Sequence, residues 1–273
     1  MNSSLKHQAR KRFGQNFLTN PQVIERIVNS IAPKADDCMV EIGPGLGAIT
    51  EHLVTQAGTI HAVEIDRDLL QRLTQQFANT PLQLHQADAL QFDFASLYHD
   101  NPLRIVGNLP YNISTPLLFH LLSCRRVICD MHFMLQEEVV DRLTAVPRTK
   151  AYGKLSVLFQ QAFAIEKLFT VDPSSFEPIP KVQSAIVRLI PKPPRVTITN
   201  PECFKSVVTH CFAHRRKTLR HNLKRLLSTQ EMAILGVDIG QRAEELTPDE
   251  FAQLSNDVDL ILNTKKHIKN DES

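Results

Sequence analysis

Hydrophobic and polar positions alternate in two different ways along the first two thirds of the chain. Short apolar runs, typical of buried strands, are separated by stretches in which apolar residues recur three or four positions apart, as on one face of a helix. Repeated strand and helix units of this kind predict an open, mostly parallel sheet. The predicted strands cover 38–42, 59–65, 82–85, 103–106, 127–135, 163–171 and 184–190.

The pattern changes after a proline-rich segment at 191–194, Pro-Lys-Pro-Pro. Helical spacing then predominates, and a continuous helix is predicted over 216–227. At 273 residues the chain also exceeds the roughly 250 residues at which a single core usually stops growing. We therefore predict an α/β chain with two domains, an open-sheet domain over 1–192 and a small all-helical domain over 195–273.

Candidate ligand residues lie at the ends of the first two of these strands. The strand at 38–42 ends in Gly43-Pro44-Gly45-Leu46-Gly47, and a glycine-rich turn before a helix lets a ligand approach the backbone and its N–H groups. Glu64 lies about 20 residues beyond the first glycine, where a carboxylate can accept hydrogen bonds from a ribose diol. NAD-binding proteins have the same spacing, so these motifs alone do not identify the nucleotide-type ligand.

Two further polar side chains lie at the ends of the next two strands. The carboxylate of Asp88 can accept from the amine of a cofactor adenine, or it can cap the turn that follows. Asn108 comes directly after the strand at 103–106. Because parallel strands end at one edge of a sheet, we expect four ligand residues along that edge: Gly43, Glu64, Asp88 and Asn108.

The tetrapeptide Asn108-Leu109-Pro110-Tyr111 suits the holding of a flat ring for chemistry on its exocyclic amine. An adenine amine is a poor nucleophile because its lone pair is delocalised, so an enzyme must hold both N–H groups while the nitrogen pyramidalises. The Asn108 side-chain oxygen and the Leu109 carbonyl can be the two acceptors, with Pro110 fixing the backbone and Tyr111 stacking on the base. The tetrapeptide alone is equally consistent with a plain turn, and its position at the ligand edge favours chemistry.

The net charge is only +2, but the charges are segregated along the chain. Residues 1–12 carry four cations and no acid, and residues 203–225 carry seven cations and no acid, whereas the segment after 225 is acidic. Such segregation suggests a polyanionic partner, although a solvated helical face has the same composition. The candidate contacts are Arg215, Arg216, Lys217, Arg220, Lys224 and Arg225.

The composition is that of an ordinary soluble protein, with 42% hydrophobic and 22% charged residues. No apolar run approaches the ~20 residues of a membrane span, and the basic N-terminus lacks the apolar segment of a signal peptide. The five cysteines are odd in number and lack the spacing of metal ligands, which fits a reducing cytosol. We expect a cytoplasmic monomer with no metal site and no membrane contact.

Five motifs follow one another along the chain: 16–18 Asn-Phe-Leu, 41–47 Glu-Ile-Gly-Pro-Gly-Leu-Gly, 64–66 Glu-Ile-Asp, 88–89 Asp-Ala and 108–114 Asn-Leu-Pro-Tyr-Asn-Ile-Ser. This order resembles the ribosomal RNA adenine dimethyltransferases, most closely their small-subunit members, over nearly the whole chain. The resemblance implies a Rossmann-like class I methyltransferase domain with S-adenosylmethionine as cofactor. It also implies the substrate, two adjacent adenosines in the loop of the last hairpin of small-subunit ribosomal RNA, within a pre-assembled small ribosomal subunit.

The resemblance implies residue roles as well. Phe176, in the proline-stiffened segment 176–182, would close over the target base opposite Tyr111; the alternative is a linker with a core phenylalanine. Next to a methyltransferase domain, the basic run at 203–225 is better interpreted as an RNA-binding surface. The implied cofactor contacts are Asn16, Leu18, Gly43, Gly45, Glu64, Asp88 and Asn108.

Two other functions share parts of this pattern. A ribosome-assembly or transcription factor could keep the fold without activity, but the intact Gly43 and Asn108 argue against lost chemistry. The large-subunit adenine methyltransferases of macrolide resistance share the cofactor motifs. The proline-linked helical module with Arg215-Arg216-Lys217 favours the small subunit.

Overall fold

The computed structural model describes residues 15–271, with side chains up to Lys265. The basic arm at 1–12 lies outside the described residues. Across the described part of the chain, no helix combines the length and the apolar character that crossing a membrane requires.

The chain forms two compact units. The first contains the described residues up to Val140 and Ile165–Pro191, and the second contains Asp141–Ala164 and the chain from Lys192 onward. The last crossing between the units coincides with the predicted proline linker. The predicted domain boundary differs at 141–164, which the sequence pattern assigns to the first domain.

Residues 141–164 belong to the second unit because they bond to its C-terminal half. The Tyr152 hydroxyl donates to the Leu246 carbonyl at 2.8 Å, and the Arg148 N–H donates to the Glu244 carbonyl at 2.7 Å. Tyr152 is fully buried, so its hydroxyl requires a partner inside the protein. These contacts join positions about a hundred residues apart, which no local pattern reveals.

The strands of the chain belong to two sheets. They are β1 (Phe17–Leu18), β2 (Cys38–Ile42), β3 (Thr59–Glu64), β4 (Leu82–Gln86), β5 (Leu103–Asn108), β6 (Ile128–Gln136), β7 (Phe163–Val171), β8 (Phe176–Glu177) and β9 (Ser184–Pro191). The larger sheet has the order β4-β3-β2-β5-β6-β9-β7. From β4 to β6 neighbouring strands are parallel, and β9 is antiparallel to β6. The predicted open α/β sheet is confirmed.

The parallel strands determine where a ligand can bind. Chain order reverses between β2 and β5, which are neighbours in the sheet although β3 and β4 lie between them in sequence. In open α/β sheets, ligands bind outside the carboxyl ends of the strands at such a switch point. The residues that follow β2 and β5 therefore border the expected crevice.

Five helices accompany the strands of the first unit, the last of them crossing into the second, and five more lie in the described part of the second. The former are α1 (Pro21–Ile31), α2 (Thr50–Gln56), α3 (Arg67–Gln76), α4 (Ser114–Ser123) and α5 (Glu137–Thr144). The latter are α6 (Lys154–Gln160), α7 (Pro201–Cys211), α8 (Leu219–Leu223), α9 (Thr229–Met232) and α10 (Pro248–Asp271).

The helix predicted over 216–227 is only Leu219–Leu223. The N–H groups of Leu219 and Arg220 donate to the carbonyls of Gln241 and Ile239, at 2.8 and 2.9 Å, instead of to a preceding helical turn. Thr218 is extended and pairs with Arg242, so the helix begins only after it. A long-range contact therefore overrides a continuous helical pattern.

β1 and β8 form the second, two-stranded antiparallel sheet, with Leu18 opposite Phe176. Both side chains are buried in a core that includes Ile27 and Ile31 of α1. The Thr19 N–H also donates to the Ser175 carbonyl at 2.8 Å. The chain at 15–19 is thereby fixed to the first unit.

The amino ends of the parallel strands are joined by Arg104. Its guanidinium contacts Asp37 and Asp130, and also donates to the carbonyls of Ile31 and Ala32 at the end of α1. Burial lowers the pKa of Arg104, but the hydrogen bonds and charges of the two aspartates outweigh it and raise this pKa above its ordinary value. The cation therefore ties β2, β5, β6 and α1 together.

We predict that Arg104→Ala destabilises the protein by about 3 kcal/mol, because two largely buried carboxylates lose their counter-charge. Urea unfolding at neutral pH measures this. The matched control is Glu166→Ala, which removes a more exposed ion pair with Arg188 and should cost at most about 1 kcal/mol. Equal losses in the two variants would contradict the prediction.

Candidate functional site

A cavity in the first unit opens at the carboxyl ends of β2 to β5. All four residues expected at this edge line it, namely Gly43, Glu64, Asp88 and Asn108. Asn16 and Leu18 form part of another wall, and Gly45 lies in the turn after β2. The structure therefore brings together every residue that the sequence suggested for a cofactor.

The glycine-rich turn has a backbone that requires glycine. Gly43, Gly45 and Gly47 have φ values of 65°, 60° and 86°, in the left-handed region. A Cβ at Gly47 would lie 2.9 Å from the Phe77 ring, and one at Gly45 would lie 3.2 Å from the Phe17 ring. A Cβ at Gly43 would meet nothing within 4 Å, so this position opens onto free space where a ligand can approach the backbone.

Two buried carboxyl groups lie in the cavity wall. Glu64 is 6% exposed, and burial raises its pKa, while the N–H groups of Asp66 and Gly45 act in the opposite direction. The Asp66 N–H donates to Glu64 Oε1 at 2.9 Å. One carboxylate oxygen is thus fixed by the backbone, which orients Glu64 as an acceptor for a ligand hydroxyl.

Glu41 is the second carboxyl group, and the sequence interpretation gave it no role. Burial raises its pKa to about 7, against a hydrogen bond from the Thr50 hydroxyl to Oε2 at 2.6 Å. The nearby charge of Glu64 raises the pKa of Glu41 further. An acid inside an otherwise apolar strand, directly before the glycine-rich turn, is the signal that could have identified it.

The Asp88 side chain is placed for both of the roles that the sequence suggested, as a cap of the following turn and as a ligand contact. Its Oδ1 accepts from the Leu90 N–H at 2.9 Å, as in a cap of the following turn. The same side chain lines the cavity. Because a carboxylate can accept several hydrogen bonds, capping by one oxygen leaves capacity for a ligand amine.

The Asn108 side chain has a defined orientation. Its Nδ2 donates to the Asn16 carbonyl at 2.9 Å, and only the amide nitrogen can donate. Within the described part of the chain, Oδ1 has no hydrogen-bond partner, so this acceptor is available to an N–H group of a ligand in the cavity. Asn16 thus contributes through its backbone, at a distance of 92 residues in sequence.

The three residues after Asn108 complete this corner of the cavity. The Leu109 N–H donates to the Met134 carbonyl at 3.2 Å, which attaches the loop to β6. The Tyr111 hydroxyl lies 2.7 Å from Ser184 Oγ at the start of β9. Burial raises the pKa of Tyr111, partly offset by this hydrogen bond, so the phenol is neutral.

Phe176, which the resemblance places opposite Tyr111, is largely buried. Its side chain is 3% exposed and belongs to a buried cluster that includes Leu18 and Ile27. The pairing of β8 with β1 places Phe176 opposite Leu18. This burial fits the alternative of a core phenylalanine, and the stacking of Phe176 on a target base stays a prediction.

The basic residues proposed for RNA lie in the second unit. Arg216, Lys217, Arg220, Lys224 and Arg225 are exposed around the short helix α8. Arg215 is also exposed but is engaged within the unit, because its Nε donates to Glu244 at 2.8 Å and its guanidinium also donates to the Thr149 carbonyl at 3.1 Å. Leu219 and Leu223 are buried on the opposite side of α8.

Comparison with known proteins identifies the family. A family model described as ribosomal RNA adenine dimethylase matches residues 6–259. The protein named ribosomal RNA small subunit methyltransferase A in Chromohalobacter salexigens is 51% identical to this chain. The protein of the same name in Saccharophagus degradans is 53% identical to it. Each match covers 92% of this chain, and 92% and 94% of the respective relative.

Solved structures agree in fold. A dimethyladenosine transferase from Plasmodium falciparum superimposes with a TM-score of 0.74 at 25% identity, covering 87% of this chain and 95% of that one. The 23S rRNA methyltransferase ErmE superimposes with a TM-score of 0.69 at 27% identity, covering 89% and 100%. The sheet is therefore that of a class I methyltransferase, and the chain belongs to the ribosomal RNA adenine dimethylase family.

Proposed function

We propose that this enzyme binds S-adenosylmethionine in the cavity and transfers methyl groups to the N6 amines of two adjacent adenosines. These lie in the loop of the 3'-terminal hairpin of small-subunit ribosomal RNA, and the substrate is the assembled small subunit in the cytoplasm. The observation that carries the proposal is the fixed Asn108 carboxamide, with its oxygen available beside Pro110 and Tyr111.

The cavity wall suits the cofactor group by group. Glu64 would hold the ribose diol, Asp88 the adenine amine, and the open backbone at Gly43 would allow close approach. Leu18 and Gly45 supply parts of the wall, and the Asn16 carbonyl holds Asn108 in place. When bound, S-adenosylmethionine supplies an electrophilic methyl group on a sulfonium ion.

The Asn108 corner would hold the target base. Asn108 Oδ1 and the Leu109 carbonyl each accept one N–H of the adenine amine, which draws the nitrogen lone pair out of the ring. Tyr111 stacks on one face of the base, and stacking returns ~1–3 kcal/mol towards the cost of extracting it. A nicotinamide enzyme needs no such pair of acceptors.

Acid–base residues have no part in this mechanism. Among the described residues that line the cavity there is no histidine, and Asn108 is a neutral amide. The proton leaves to water after the attack, when the alkylated amine is strongly acidic. Rate enhancement then comes from holding the amine in line with the methyl group.

The preference for the small subunit rests on the degree of similarity. The relatives named as small-subunit methyltransferases are 51% and 53% identical, whereas the 23S rRNA methyltransferase ErmE is 27% identical. The basic surface around α8 supplies exposed cations for RNA phosphates, a sequence-independent contribution to binding.

The first test is Asn108→Ala, which removes one of the two acceptors. We expect methyl transfer to fall by about 10²–10³, as when one oxyanion-hole donor is removed, with a much smaller loss of cofactor affinity. Single-turnover methylation of unmethylated small subunits and calorimetric cofactor binding measure the two quantities. Asn101→Ala is the matched control, since that side chain bonds to Asp36 instead. Comparable losses of transfer and binding would exclude a transition-state role.

The second test concerns the basic surface. Replacing Arg216, Arg220 and Lys224 by Ala should weaken RNA binding and reduce the slope of log K against log salt by ~0.7 for each RNA phosphate that the variant no longer neutralises. Arg215 is left unchanged because its ion pair with Glu244 supports the fold.

The control for that test removes the same charge elsewhere. Lys34, Arg125 and Arg126 are exposed cations at the amino ends of the strands, away from the cavity edge. Their replacement should leave the salt slope close to that of the wild type. Equal slopes in the wild type and the two variants would contradict an RNA-binding role for residues 203–225 and favour the alternative of a solvated helical face.

The third test is the product. After one transfer the amine keeps one hydrogen, which either Asn108 or Leu109 can hold while the methyl group takes the place beside the other. Because the proposed mechanism uses no general base that must be deprotonated again, a second transfer to the same amine can follow the first. Nucleoside analysis after reaction with excess cofactor should show dimethyladenosine at two neighbouring positions. A plateau at monomethyladenosine would contradict this description of the pocket.

A further inference from the structure

The loop at 178–183, between β8 and β9, is held beside the cavity at its first end. β8 pairs with β1, whose Phe17 and Leu18 line the cavity. Both the N–H and the hydroxyl of Thr19 donate to the Ser175 carbonyl, at 2.8 and 3.1 Å. The 178–183 loop therefore begins at the cavity wall.

The second end of the loop is held at the proposed base site. The Gln183 carbonyl accepts from the Glu137 N–H at 3.0 Å, and the next residue, Ser184, is fully buried. Ser184 Oγ lies 2.7 Å from the Tyr111 hydroxyl. The loop and Tyr111 thus have a common anchor, and the loop flanks the place where Tyr111 would stack.

Between these anchors the loop exposes apolar side chains. Ile179 is 69% exposed and Val182 is 42% exposed. Pro178 and Pro180 restrict the backbone around Ile179, so little conformational entropy is lost when a partner contacts it. Single exposed apolar residues are common on protein surfaces and need no explanation. Two large exposed aliphatic side chains within four residues, beside a cavity, instead indicate a contact surface.

Charge does not explain this loop. Lys181 is exposed, but so is Glu177, and the two formal charges cancel. The loop therefore offers a partner mainly apolar area. In RNA, apolar area becomes available where bases are unstacked.

Resting on the proposed function, we propose that Ile179 and Val182 pack against the bases next to the target adenosine. Extracting that adenosine leaves its neighbours with uncovered faces, and apolar side chains commonly fill such gaps between bases. Tyr111 would stack on the extracted base while the 178–183 loop covers the space it left. Both residues act by stabilising the opened RNA, and neither touches the reacting atoms.

The test compares Ile179→Ser, Val182→Ser and the double variant with Ile234→Ser, a matched control that is 72% exposed in the second unit. One readout is single-turnover methylation of unmethylated small subunits at saturating cofactor. The other is the fluorescence of 2-aminopurine placed next to the target adenosine in reconstituted small subunits, measured without methyl transfer. The double variant should lose about tenfold in rate and most of the fluorescence change, with unchanged cofactor affinity and salt slope.

The possible results separate this inference from the proposed function. An active wild type with a double variant within twofold of it in rate overturns the inference alone. A slower double variant that gives the same fluorescence change as the wild type also overturns it, because the loss of rate would then not arise at the neighbouring base. If the wild type neither methylates small subunits nor changes the fluorescence, the proposed function and this inference both fail.

Discussion

The hydrogen bond from Asn108 Nδ2 to the Asn16 carbonyl is the constraint on which the site depends. It joins the end of a central strand to a segment that precedes the first helix, and it fixes which atom of the carboxamide remains available. An asparagine free to rotate would present donor and acceptor equally to an adenine amine. Because Asn16 directly precedes β1, which pairs with β8, we expect the orientation of the Asn108 side chain to depend on packing around Leu18 and Phe176.

The second constraint is electrostatic. Burying Glu41 and Glu64 near one another is unfavourable, and their raised pKa values express that cost. The Thr50 hydroxyl and the backbone N–H groups of Asp66 and Gly45 offset part of it. Under the proposed function, a cofactor with a diol and a positive charge would offset more, and part of the cost of burying these acids would be recovered on binding.

The sequence predicted the parallel sheet and the residues at its edge because both follow from local periodicity and strand ends. Features set by long-range contacts were missed. The pairing of β8 with β1, in which Phe176 lies opposite Leu18, was not predicted, and the helix predicted over 216–227 is shortened by hydrogen bonds to 239–241. Glu41 was overlooked because one acid in an apolar strand gives no periodic signal. Arg215, which resembles its basic neighbours in sequence, bonds to Glu244.

The division of the chain limits how its parts can be exchanged. The polypeptide crosses between the two units three times, after Val140, after Ala164 and after Pro191. The second unit is consequently not formed only by the residues after the proline linker. It also contains α6 and the buried Tyr152, which come from the middle of the sequence. Chimeras between relatives that are joined at residue 192 would combine an α6 from one parent with an α7 and α10 from another. Exchanging the second unit between members of the family therefore means moving two separate stretches of chain together.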